Sequence, residues 1–147
     1  MPYDGFRLDD TIKGCKNFKY REALKLPTWE VTVYPEFYQF ENINRIGPKL
    51  QQLRDTVLEG RKVFITNWLR PPKYNKEIGG SKYSAHPYGN AIDFWVEGLE
   101  SNKVRIIILP CLDALGIRME KMDTAHVHID DKPVGISGER YFIPGSP

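Results

Sequence analysis

The chain has 147 residues, a length that suits one domain with one core. Apolar residues make up 41% and aromatic residues 12%, which excludes a disordered chain. A net charge of +2, without a basic aromatic stripe, excludes the profile of a nucleic-acid binder.

In chain order, "YREALKL" reads as a short helix and "WEVTVYP" as a strand in which Val31 and Val33 alternate. "NINRIGPKLQQLRDTVLEG" is the clearest helix: Ile46, Leu50, Leu53 and Val57 recur at three- and four-residue steps, and Gly60 supplies a stop. Pro48 is expected in its first turn, where a missing N–H does no harm. "RKVFIT" is a β-branched strand stopped by Pro71 and Pro72, and "PPKYNKEIGG" is a turn or short helix. "NAIDFWVEG" is a second core strand. Residues 101–115 read as a helix with Ser101 as N-cap and Val104, Ile108, Leu112 and Leu115 on one face; Pro110 should kink or break it. "GIRMEK" and "AHVHID" are two further strands, and the tail with Gly135, Gly138 and Gly145 reads as loop.

Helices and strands in mixed order, without a βαβ rhythm, predict an α+β fold with an antiparallel sheet. Without a repeat or linker, residues 1–147 are expected to form a single domain. The longest apolar run, "RIIILPCLDALG", is too short and too interrupted to span a bilayer. "MPYDGFRLDD" lacks a basic start followed by an apolar run, so no signal peptide is expected and the chain reads as a product of the cytoplasm. Cys15 and Cys111 have no CxxC spacing, which excludes a zinc knuckle; one disulfide or two free thiols both fit.

The chemistry lies in the three histidines. If "HVHID" is a strand, His126, His128 and Asp130 share one face while Val127 and Ile129 point to the other, toward a core. His86 lies in the Pro/Gly segment "SAHPYGNAID", and Asp93 follows in the next strand. A chain that turns back on itself brings imidazole and carboxylate together. His, Asp and His form a three-ligand set with one position open for water, the pattern of a catalytic zinc. From the residues alone, a hydrogen-bonded or surface role for each histidine, and a capping role for Asp93, stay open.

"SAHPYGNAID" resembles the S-x-H-x-x-G-x-A-x-D motif of the M15 peptidases, the zinc D-Ala-D-Ala carboxypeptidase family. "HVHID" resembles their second metal motif. "VFITNWLRPPKYNKEIGG" is similar to the family's strand and "SGYRSPxxN…GG" stretch, and "CKNFKYREAL" to the opening of compact phage-type members. The likeness covers about residues 14–131. It implies the fold shared with hedgehog domains, a small antiparallel sheet with flanking helices. It implies zinc held by His86, Asp93 and His128, and His126 as the catalytic proton shuttle, with Asp123 second. Members with an acidic base three residues before the last ligand differ here, where that position is Ala125. Arg70 matches the arginine that binds and polarises substrate. Ser84 matches the motif serine and either contacts ligand or braces the loop. Asp130 either steadies a ligand imidazole or forms a structural salt bridge. Asn67 and Trp68 replace the usual "SG-Y" residues, so a differently shaped pocket is expected. Tyr88 and Trp95 are expected in the core or the pocket wall.

The activity so implied is a zinc-dependent peptidase acting on bacterial cell-wall peptide, either a D-Ala-D-Ala carboxypeptidase or an endopeptidase. It would be a phage or prophage endolysin that reaches the wall after release, or in the virion. The alternative is a non-catalytic zinc-containing binding or virion structural module of the same fold.

Overall fold

A computed structural model of the chain describes residues 1–122, 125–135 and 138–146. Helix α1 (Tyr20–Leu24) leads into a two-stranded antiparallel ribbon, β1 (Lys25–Leu26) and β2 (Val31–Thr32). Helix α2 (Phe37–Asp55), strand β3 (Val63–Asn67) and helix α3 (Pro72–Glu77) follow. A 3₁₀ turn (His86–Tyr88) precedes β4 (Ala91–Val96). Then come α4 (Ser101–Ile108), a 3₁₀ turn (Leu109–Cys111), α5 (Leu112–Leu115), and strands β5 (Arg118–Glu120), β6 (Val127–Asp130) and β7 (Tyr141–Phe142). The main sheet has the order β3-β4-β6-β5-β7, antiparallel except for β5–β7.

This is the expected α+β architecture of helices flanking a small antiparallel sheet. One parallel edge is added by Tyr141–Phe142, in a tail that reads as loop. Two residues are too few to show a period, so composition alone hides this strand. Pro110 falls in the 3₁₀ turn that divides α4 from α5, as its missing N–H requires. Ser101 is the first helical residue, and the N-cap is Glu100.

Pro48 is displaced from its expected position. Helix α2 begins earlier, at Phe37, where Gln39 Oε1 accepts a hydrogen bond from the Glu36 amide at 2.7 Å, and Pro48 lies in its interior. The one backbone bond that proline removes is tolerated because Ile43, Ile46, Leu50 and Leu53 on the same helix are fully buried. Gly47 belongs to this packing: a Cβ there would meet the Ile12 side chain at 3.0 Å and Trp68 at 3.3 Å.

The core lies between α2 and α4 and one face of the sheet, filled by Ile92, Phe94, Val127, Ile129 and Met119. Residues of opposite parity, Asp93, His128, Asp130, Arg118 and Glu120, therefore point to the other face. Cys15 and Cys111 are both free, and burial pushes the Cys15 thiol up to about 12. Among the described residues, no helix is long and apolar enough to cross a membrane.

Candidate functional site

The 3₁₀ turn carries His86 at 1% exposure. The turn closes on Gly89, whose φ is +80°, and an added Cβ would lie 2.9 Å from the Gln39 carbonyl oxygen. Gln39 Nε2 donates to the Pro87 carbonyl at 2.9 Å, so α2 clamps the turn. His86 Nδ1 lies 2.7 Å from the Trp68 carbonyl oxygen. A carbonyl only accepts, so Nδ1 carries the proton and Nε2 presents a lone pair. That lone pair is 3.1 Å from Asp93 Oδ1, a hydrogen-bond length, yet the buried Nε2 makes no hydrogen bond with a described residue. Burial pushes the His86 imidazole below its ordinary pKa against the pull of Asp93, so the ring is neutral and has no proton to give.

Asp93 on β4 stands directly opposite His128 on β6, and His128 Nδ1 approaches Asp93 Oδ1 at 2.9 Å. The other nitrogen, Nε2, is 2.8 Å from Asp130 Oδ2. Both nitrogens of His128 thus face carboxylates. Burial opposes the charge on this ring, but Asp130 and Asp93 outweigh it and raise its pKa to about 10. Burial alone would raise the Asp93 carboxyl; the His86 and His128 imidazoles, when they carry charge, outweigh this and hold it well below the usual carboxylate range. Asp130 is fixed by Arg118 through bonds of 2.8 and 3.0 Å, and the guanidinium lies 3.9 Å over the Phe142 ring. The two roles weighed for Asp130, imidazole support and salt bridge, are both filled.

The ligand atoms of His86, Asp93 and His128 lie within 4.8 Å of one another, and all three residues are buried. This group can hold a metal ion. The fit is chemical as well as geometric: two acceptors face each other across 3.1 Å without a proton, and the second nitrogen of each imidazole is already engaged. His126 precedes β6, with its side chain 36% exposed and Nε2 3.6 Å from Asp93 Oδ2. Its backbone is anchored by Arg105 Nη2, which donates to the His126 carbonyl at 2.7 Å. Asp123 lies outside the described residues.

A cavity of about 280 Å³ opens beside the cluster, lined among others by Arg70, Ser84, Glu120, His128 and Phe142. Arg70 Nη2 donates to Ser84 Oγ at 3.3 Å, and the buried Nε has no hydrogen-bond partner among the described residues. Burial draws the guanidinium pKa down against Asp93 and Glu120. Ser84 Oγ also accepts from the His86 amide at 3.1 Å, so the serine braces both the metal-capable turn and Arg70.

Sequence reasoning missed Glu120, whose Oε1 lies 3.9 Å from His128 Nδ1, and Arg118. The signal was available in "RME": Arg118 and Glu120 flank the core residue Met119 with the alternation seen in "HVHID". Trp68 is fully buried in the core; its carbonyl accepts from His86 Nδ1 at 2.7 Å and its indole Nε1 donates to the Gly89 carbonyl at 2.8 Å, so it braces the turn that carries His86. Trp95 departs from its expected place in the core or pocket wall: it is exposed and stacks on Phe64 at 4.2 Å between centroids, whereas Tyr88, also exposed, lines a cavity wall.

Two imidazoles and a carboxylate gathered at a cleft, with an arginine beside them, form the donor set of a metal-assisted hydrolase. The family model for Peptidase M15 matches residues 16–130, and the chain belongs to this peptidase family. No curated protein matches the chain.

Proposed function

We propose that the chain is a zinc-dependent peptidase that hydrolyses peptide bonds of bacterial peptidoglycan as a phage or prophage endolysin. The observation that carries the reading is the His86 Nε2 lone pair, which faces Asp93 Oδ1 at 3.1 Å with no proton between them. A divalent cation there turns a repulsion of two acceptors into bonds. His86, Asp93 and His128 would hold it, and nitrogen and oxygen donors suit zinc. When bound, zinc supplies Lewis acidity, which lowers the pKa of water and polarises a carbonyl.

The chain's own groups supply the rest. Arg70 offers a forked donor to a substrate carboxylate or developing oxyanion, and Ser84 keeps it aimed. His126 Nε2, partly exposed at the edge of the cluster, carries the proton to the leaving amine; Asp123 stands second for that role. The wall substrate is supported by the resemblance of the two metal motifs to the D-Ala-D-Ala carboxypeptidases. The phage assignment is supported by the opening "CKNFKYREAL".

Mass spectrometry of muropeptides after digestion of purified wall with zinc-loaded protein, against an EDTA-treated control, tests the reading. New amino termini are expected only in the zinc-loaded digest. Bound zinc without new termini would favour a non-catalytic module of the same fold.

A further inference from the structure

A second cavity, of about 460 Å³, lies beside the first. Residues 79–85 form the partition. Gly79, Ser81 and Tyr83 line the cavity at the cluster, Gly80 and Lys82 line the other, and Ser84 lines both. The second cavity is walled by Tyr38, Tyr88, Pro87 and Pro72, with Lys76 and Lys82 at its margin and no carboxylate among the described residues that line it. Tyr38 and Tyr88 are 50% and 55% exposed. Neither lysine forms an ion pair with a described residue. Residues 70–85 carry Arg70, Lys73, Lys76 and Lys82 against Glu77 alone, in a chain whose whole net charge is +2.

Resting on the peptidoglycan reading above, we infer that this groove is an anchoring site for the wall polymer, separate from the reacting centre. Its occupant is a glycan–peptide strand whose stem-peptide carboxylates meet Lys76 and Lys82 and whose sugar rings pack on Tyr38 and Tyr88. Charge selects the ligand: two ammonium groups without an ion-pair partner among the described residues, Lys82 resting over the Tyr83 ring at 5.0 Å, favour an anion. Exposed aromatic rings add apolar area at small entropic cost, which suits the CH faces of a sugar. Continuity selects the polymer. Ser84 touches both cavities, so a strand anchored in the groove delivers its neighbouring peptide to Arg70 and the cluster. Two weak sites on one strand act together by effective concentration, which gives a chain of this size wall retention from its own surface.

The test compares zinc-loaded wild type with the exposed-residue variants Lys76→Gln/Lys82→Gln and Tyr38→Ala. Co-sedimentation with purified sacculi is measured together with turnover of a short soluble stem peptide. Sacculus binding should weaken about tenfold in each variant, while soluble-peptide turnover stays within twofold, which also reports an intact fold. Wild-type binding should fall about as much when sacculus carboxylates are amidated, and should weaken with added salt. Unchanged binding by the variants would overturn the inference. So would an equal loss of soluble-peptide turnover, which would place these residues in the reacting centre. Loss of wild-type binding on stripping teichoic acids would also overturn it, by assigning the groove to phosphate. A lysine-dependent binding without any bond cleavage supports the groove and counts only against the peptidase reading.

Discussion

Arg118 stands directly opposite Asp130 in the β5–β6 register, and its guanidinium closes a two-pronged ion pair at 2.8 and 3.0 Å. Both residues are almost wholly buried, at 2% and 1% exposure. Asp130 in turn reaches His128 Nε2, so the pair fixes the orientation of an imidazole in the cluster. Removing one member of such a pair leaves a buried charge without its main partner. Arg118→Met is expected to cost about 3–5 kcal/mol. It should appear as a lower urea midpoint with an unchanged denaturant slope. A loss below about 1 kcal/mol would mean that the pair does not hold these strands.

Metal binding should release a proton. Without metal, His128 has its pKa raised to about 10, so at pH 7 both its nitrogens carry protons toward Asp93 and Asp130. His86 is neutral and Asp93 ionised at that pH. A cation must therefore displace the proton on His128 Nδ1, and its affinity should rise about tenfold per pH unit near neutrality. The metal-free protein shows the converse. A raised imidazole pKa stabilises the fold fully below its ordinary value of 6.5, and this contribution is lost as pH climbs to about 10. Calorimetric zinc titrations in buffers of different protonation enthalpy give the number released; a value of zero at pH 7 would contradict the assignment of His128.

The turn that carries His86 depends on a missing side chain. Gly89 combines a φ of +80° with a would-be Cβ contact of 2.9 Å to backbone, whereas Gly60 has a φ of +73° and open space around it. Gly89→Ala should cost on the order of 2–3 kcal/mol and weaken zinc binding, because the turn must move away from α2. Gly60→Ala carries only the dihedral strain, about 1–2 kcal/mol, and should leave zinc affinity unchanged. Thermal melts and zinc titrations of the two variants separate the effects. Equal zinc affinity in both would show that the turn tolerates displacement.

The cluster was legible because a strand's period of two is short enough to read in five residues. In "HVHID" the apolar and metal-capable sets separate cleanly, and the observed strand Val127–Asp130 keeps that parity. The pairing of Asp93 with His128 was not legible, since it depends on the register between β4 and β6, a tertiary relationship. Pro48 misled for a related reason. Proline marks a helix start by local preference, but burial along Ile43, Ile46 and Leu50 overrides that preference and carries α2 back to Phe37. Glu120 was overlooked because one carboxylate at a strand end resembles any surface acid until the Arg70 cavity is seen beside it.

His126 and His128 should separate in a mutant pair, because they differ in burial and partners. His128 is buried against two carboxylates, while His126 is partly exposed and 3.6 Å from the far oxygen of Asp93. His128→Ala should abolish both zinc binding and cleavage. His126→Ala should keep zinc stoichiometry and lose about 10²- to 10⁴-fold in turnover, the span of a positioned proton shuttle. Arg70→Lys should also keep zinc, yet lose on the order of 10²-fold, because an ammonium cannot reproduce the fork that Ser84 aims. Zinc content by atomic absorption and release of amino groups from purified peptidoglycan are the two readouts. Near-normal cleavage by His126→Ala would pass the proton step to Asp123, and the Asp123→Ala variant would then show the missing loss.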